Sequence, residues 1–226
     1  MSNYKTVFFI LGVLQIILGL SMIVPIMAQF YYNQVDSGFI GSGLVSIIFG
    51  VLFFLSNLDY EKKLTLPQAF LLTALSWLSI AIFGSLPFVF SDLSLSFTNA
   101  FFESMSGITT TGSTILTNLN ETPKAILLWR AMLQWLGGIG IIVMAITLMP
   151  IMNIGGMQLF VISNTHTPEK ILPKSKEISI RLIAIYSSLT LVCAFFYKIF
   201  GMSFFDSIVH SMTTIATGGF SNYNES

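Results

Sequence analysis

GITTTGSTIL, residues 107–116, sets five hydroxyl side chains and two glycines in a chain of 226 residues that is 54% hydrophobic and only 9% charged. Such a stretch makes a poor helix and cannot face hydrocarbon, where every backbone N–H and C=O must find a partner. It predicts polar backbone shielded by protein. The surroundings support that prediction, because a mean hydropathy of +0.82 with 21 Phe and 11 Met is too apolar for a soluble domain, whose charged fraction is about a quarter. The sequence is that of an integral membrane protein. Ten basic residues balance ten acidic ones, so no net field points to nucleic acid. The single Cys193 excludes an internal disulfide or a cysteine metal cluster and is expected simply to pack.

A spanning helix needs about 20 mainly apolar residues. Five segments qualify: Val7–Tyr31, Phe39–Leu58, Leu66–Phe90, Lys124–Met149 and Ile178–Phe200. The first is too long for the apolar core of a signal peptide and is read as a retained helix. Pro67 and Pro123 stand near helix starts, Pro87 and Pro150 near helix ends, and Pro25 predicts a kink. Thr98–Ile108 and Phe204–Ile215 are hydrophobic but too short to span, and each runs at once into a Gly/Thr-rich stretch. Ile151–Ile162, with Gly155 and Gly156, reads either as an interfacial connector or as a simple loop.

Cytoplasmic flanks are enriched in Lys and Arg. Lys5, Lys62, Lys63, Lys170, Lys174, Lys176 and Arg181, seven of the ten basic residues, share one side if the two short segments do not cross. That side is the cytoplasm, and it holds the N-terminus. Both short segments must then dip in from outside and return. Had either crossed, the cluster from Lys170 to Arg181 would change sides.

A displacement of 107 residues aligns SFTNAFFESMSGITTTGST, from Ser96, with SFFDSIVHSMTTIATGGFS, from Ser203. Identities fall at Ser96/Ser203, Phe97/Phe204, Ser104/Ser211, Met105/Met212, Ile108/Ile215, Thr110/Thr217 and Gly112/Gly219. A spanning helix precedes each copy, so the repeated pattern is spanning helix, short re-entrant helix and Thr/Gly turn. Extended backbone survives in a membrane only where protein buries it or where it lines a water-filled cavity. Its carbonyls need partners, and a dehydrated cation is one such partner. Gly112, Gly218 and Gly219 are read as residues able to take positive φ and aim carbonyls at one axis. The carboxyl end of each short helix adds partial negative charge. A Gly/Thr loop without any ligand is the plainer alternative for one such stretch, and the pairing of two favours a pore.

FFESMSGITTTGSTIL, the helix LWRAMLQWLGGIGIIVMAITLMPI with its GGMQL sequel, and SMTTIATGGFSN together resemble the Trk-system potassium uptake subunit of the Trk/Ktr/HKT superfamily. The resemblance implies an all-α polytopic membrane protein built from repeated outer helix, re-entrant pore helix, filter and inner helix, a K+ channel-like fold with one pore from four pseudo-equivalent units. About one and a half of those units are present here, and the chain is expected to be an N-terminal fragment of a longer protein. Residues 1–63 would hold two extra helices, 64–150 the first unit, 151–177 a cytoplasmic connector and 178–226 an incomplete second unit. Filter carbonyls carry over to Thr110, Thr111, Thr217 and Gly218 as K+ ligands, with Gly112 and Gly219 as filter glycines. The resemblance also implies a bacterial inner membrane, a homodimer and a cytosolic nucleotide-binding regulatory Trk subunit, with Lys170–Arg181 as a docking region. No cofactor is expected beyond the transported K+, passively or by H+ or Na+ symport. TTTGST lacks a second glycine, which predicts a looser filter than a fully symmetric one.

Three ionisable residues near these stretches are supporting candidates. Glu103 lies in the first short helix and His210 at the equivalent repeat position, and both read as filter braces rather than ion ligands. Arg130, early in a spanning helix, would either snorkel outward or set the field at the pore mouth. Gly137, Gly138 and Gly140 predict close helix packing, and Trp77, Trp129 and Trp135 packing or interfacial anchoring. Thr165, His166 and Thr167 read as surface connector. No enzyme constellation is visible, and the rival to a pore is a non-conducting helical scaffold or assembly subunit whose Gly/Thr turns only pack.

Overall fold

The computed structural model describes residues 4–34, 36–60, 64–152 and 171–225, with side chains throughout these except at 146–152 and 171–176. Lys62, Lys63, Lys170, the Gly155–Gly156 pair and the triplet Thr165, His166 and Thr167 lie outside the described residues. The described chain forms eight α-helices: α1 Lys5–Ser21, α2 Ile23–Tyr31, α3 Gly38–Ser56, α4 Leu66–Phe90, α5 Phe97–Ile108, α6 Lys124–Met152, α7 Ile171–Ile199 and α8 Phe204–Ile215. Among the described residues, five stretches are long and apolar enough to cross a membrane by length and composition: Lys5–Tyr31, Gly38–Ser56, Leu66–Phe90, Lys124–Ala145 and Glu177–Ile199.

The first span is broken at Met22. Pro25 has no N–H to give to the Ser21 carbonyl one turn back, so the i to i−4 ladder fails there. Helix α4 begins where the Gln68 side chain accepts the Thr65 N–H at 2.9 Å, with Pro67 in the first turn. Two boundaries differ from those expected by about three residues or more. Helix α6 runs through Pro150 to Met152, and α7 starts at Ile171, seven residues before the apolar stretch. Hydropathy registers only the apolar part of α7, whereas Lys174, Lys176 and Glu177 precede that part in the same helix.

Helices α1 and α3 pair antiparallel through glycines spaced by seven on both. A Cβ on Gly12 or Gly50 would collide with the other's carbonyl, and one on Gly19 would come to 2.9 Å of the Gly43 carbonyl. Hydrocarbon gives no hydrophobic drive for helix association, so backbone approach and polar ties supply it. The ties are specific: Gln15 Nε2 to Ser79 Oγ at 2.5 Å, Trp129 Nε1 to the Gly84 carbonyl at 2.9 Å and Trp135 Nε1 to Thr190 Oγ1 at 3.0 Å. Met22, Phe39, Phe88, Trp129 and Leu133 form the buried core. Phe195, Phe200 and Leu191 on the outer surface remain exposed, as suits side chains solvated by lipid.

Both short helices start at the same end of the bundle. At that end Asp36 Oδ2 accepts the Asp92 N–H, Gln34 Oε1 accepts the Lys124 N–H at 3.0 Å, and the Lys124 ammonium lies over the Phe205 ring of α8. Helix α5 runs inward from there until the Ile108 carbonyl packs on Gly137, in the middle of α6, so closely that a Cβ would overlap it. The chain then returns to the starting end by Lys124. Gly138 is occupied in the same way, by the Tyr186 hydroxyl of α7.

Candidate functional site

Helices α5 and α8 end in the same hydrogen-bonded motif. The Thr110 N–H donates to the Gly107 carbonyl and the Thr111 N–H to that of Ser106, both at 2.9 Å. One repeat later Thr217 donates to Thr214 at 3.0 Å and Gly218 to Thr213 at 2.9 Å. These 5→2 and 6→1 bonds are a Schellman motif, which needs a left-handed residue just past the helix, usually glycine. Here threonine fills it: Thr110 has φ 56° and Thr217 φ 55°. A β-branched residue there is a genuine outlier, costing about 1–2 kcal/mol. Gly112 and Gly219 follow at φ 80° and 77°, so the two loops match in two hydrogen bonds and two left-handed residues.

The motif uses up the carbonyls of the helix ends and leaves the next ones over. No described residue donates a hydrogen bond to the carbonyl of Thr110, Thr111, Thr217 or Gly218. A row of carbonyls without donors, beyond the negative end of a helix, is a cation-favouring arrangement. Gly218 is not left-handed, contrary to the expectation for all three glycines. Its need is for space, since a Cβ there would collide with the Gln134 amide.

Glu103 and Arg130 are paired at 2.7 Å with side chains 0% and 1% exposed. The arginine therefore turns inward instead of snorkelling. Glu103 accepts Thr114 Oγ1 at 2.8 Å and the Ile115 N–H at 3.0 Å, which pins the strand that leaves the first loop. Arg130 donates to Thr114 Oγ1 at 3.0 Å and to the Ser221 carbonyl of the second loop at 3.1 Å, and stacks on Phe220 with its guanidinium 4.1 Å from the ring centre. One buried ion pair thus holds both loops. Breaking such a pair by removing one partner leaves an uncompensated buried charge and costs about 3–5 kcal/mol.

The second loop has its own brace, one turn earlier on its helix than Glu103 on α5. Asp206 accepts Ser203 Oγ at 2.6 Å, Asn222 Nδ2 at 2.7 Å and Tyr223 Oη at 2.8 Å. Burial alone would raise this carboxyl, but the bonds from Ser203, Asn222 and Tyr223, with Lys124 nearby, outweigh it and hold the pKa below the usual carboxylate range. His210, at the Glu103 position, stacks on Tyr223 with ring centres 6.5 Å apart and donates nothing to the loop. Between the loops opens a cavity of about 420 Å³, lined among others by Gly112, Thr114, Arg130, Gly219 and Asn224.

Sequence patterning singled out Glu103, Arg130 and His210 but not Asp206 or Gln134. Asp206 sits three residues past Ser203, whose Oγ accepts its N–H, so it resembles an ordinary helix-start acid. Gln134 carries no charge and lies in an apolar helix, and only its 0% exposure makes it conspicuous.

A family profile described as TrkH, cation transport protein, matches residues 35–226. The Trk system potassium uptake protein TrkI of Halomonas elongata is 39% identical over 218 residues, 96% of this chain and 44% of that protein. TrkH of Escherichia coli strain K12, also described as a Trk system potassium uptake protein, is 39% identical over 228 residues, 99% of this chain and 47% of that one. The crystal structure of the potassium transporter TrkH from Vibrio parahaemolyticus superposes with a TM-score of 0.88 at 36% identity, covering 99% of this chain and 45% of that one. The chain spans less than half the length of the relatives it matches.

Proposed function

The chain belongs to the TrkH family of cation transport proteins, and on that premise we propose that it supplies two filter strands of a path for K+ uptake. The carbonyls of Thr110 and Thr111 in the first loop, and of Thr217 and Gly218 in the second, replace water around the dehydrated ion. Gly112 and Gly219 turn the backbone that aims them. The observation that carries this proposal is the pair of loops, matched in φ and hydrogen bonding, in which the carbonyls of Thr110, Thr111, Thr217 and Gly218 accept nothing from the described residues. The relatives' shared description as potassium uptake proteins supports the choice of ion.

Two strands cannot encircle an ion, so further strands complete the ring. Residues 64–150 form the first pore unit and 178–226 the start of the second, after two extra helices in 1–63 and a connector at 151–177. The protein works as a homodimer in the bacterial inner membrane with its N-terminus in the cytoplasm. The loops open outward, and a nucleotide-binding regulatory subunit docks near Lys170–Arg181. Charge reversal in that segment should abolish co-purification of the regulatory subunit, and unchanged recovery would count against the docking.

Rb+ uptake by bacterial cells lacking their own K+ uptake, carrying the complete gene, tests the filter. Gly112→Ser and Gly219→Ser should each reduce uptake and weaken preference for Rb+ over Na+. If both leave rate and preference unchanged, the loops are packing elements and the filter proposal fails.

A further inference from the structure

Gln134 lies on α6 one turn beyond Arg130, fully buried, bonded to the second loop and facing the first. Its Oε1 accepts the Phe220 N–H at 3.2 Å, immediately after the glycine pair of the second loop. Its Nε2 faces the first loop, 3.7 Å from where a Cβ on Gly112 would stand. That nitrogen is buried without a hydrogen-bond partner, in a protein whose other spanning-helix polar groups largely find one. The space its amide fills is the space a side chain at Gly218 would need, because a Cβ there would fall within 2.7 Å of its Cδ, Oε1 and Nε2. Gly218 in turn presses on the first loop, its carbonyl oxygen so close to the Gly112 Cα that a Cβ on Gly112 would overlap it.

A planar amide wedged between two backbone strands, bonded to one and facing the other, fixes their separation. We infer that Gln134 is a positioning residue that sets the lateral spacing of the two filter strands, and through it the preference among alkali cations. Arg130 holds the same loops farther along, at Thr114 and Ser221, so it fixes the exits of the strands while Gln134 acts at the level of the glycines. An ion-coordinating ring discriminates by the distance and number of its oxygens. A wedge at Gly218 acts on that distance without touching the ion. The inference rests on the filter assignment above and adds to it the residue that sets the filter's width.

The test is steric and reciprocal, made in the protein as its complete gene encodes it, with Rb+ uptake, its competition by Na+ and membrane content as readouts. Gly218→Ala should lower Rb+ uptake about tenfold through overpacking. Adding Gln134→Ser, which removes the amide the new Cβ overlaps, should restore most of the rate while leaving the ion preference low. Gln134→Met keeps the volume but loses the acceptor, and should lower the Rb+ over Na+ preference about tenfold at unchanged membrane content. Absence of rescue by Gln134→Ser, or a normal preference in Gln134→Met, overturns the inference. Should Gln134→Met be lost from the membrane, the Gly218→Ala pair decides alone. If Gly112→Ser and Gly219→Ser abolish uptake while rescue fails, only the role of Gln134 falls. If they too are silent, the filter assignment falls with it.

Discussion

From Ile108 to Gly112, and again from Ile215 to Gly219, the backbone follows one path: a Schellman turn on a left-handed threonine and then a left-handed glycine. The side chains that secure the two loops nevertheless differ. The first is tied through Glu103 to a buried arginine, while the second is tied through Asp206 to its own Asn222 and Tyr223. Where Glu103 stands in the first helix, His210 stands in the second and only stacks. The path of a loop follows from the way its helix ends, and its brace follows from which neighbours reach it. Repeated backbone can therefore persist while the bracing chemistry drifts.

The sharpest way to separate the loops is at their glycines. Gly112 and Gly219 share a positive φ, but a Cβ on Gly112 would overlap the Gly218 carbonyl, whereas one on Gly219 meets nothing within 4 Å. Gly112→Ala should therefore abolish Rb+ uptake. Gly219→Ala, facing only the left-handed penalty of about 1–2 kcal/mol, should retain a measurable fraction. Equal loss in both variants would mean that backbone conformation alone governs the loops.

Next in size is the ion pair. Glu103→Gln strands the buried Arg130 charge and should lower the thermal stability of the detergent-solubilised protein by the equivalent of about 3–5 kcal/mol. Adding Arg130→Gln should recover part of that loss, because the orphaned charge is gone. Strictly additive effects would show that the two side chains act independently.

The smallest effect is expected at Asp206. Asp206→Asn should cost about 1.5–3 kcal/mol, the range for hydrogen bonds to a charged group, and should disturb the second loop alone. Because its folded pKa is depressed, the carboxylate contributes stability above its unfolded pKa of about 3.9, and that contribution is lost as pH falls through the folded value. Melting temperatures of wild type and Asp206→Asn should accordingly converge as pH drops below about 4. A constant gap across that range would show that the bonds do not depend on ionisation.

Much of the helical plan was legible because lipid imposes it. Leu66–Phe90 and Phe204–Ile215 match their helices end for end, since apolar length is what hydropathy measures. Legibility failed where charge or strain took over. The start of α7 at Ile171 hides among lysines, and the left-handed residues at Thr110 and Thr217 occupy positions where sequence rules expect glycine. Gly218 carried the opposite error: it resembles a conformational glycine, but its neighbour Gln134 is what forbids a side chain.

What the sequence determined by itself was periodic and local: five spans, two short helices and a repeat of 107 residues with Thr and Gly in register, all consequences of each residue's own preference for hydrocarbon, helix or turn. Tertiary structure alone decided which groups meet. Arg130 lies 91 residues from Ser221 in the chain yet bonds its carbonyl, and Gln134 reaches Phe220 across 86. No local preference encodes such pairs, because a buried polar group is tolerated only by the particular partner that folding brings to it.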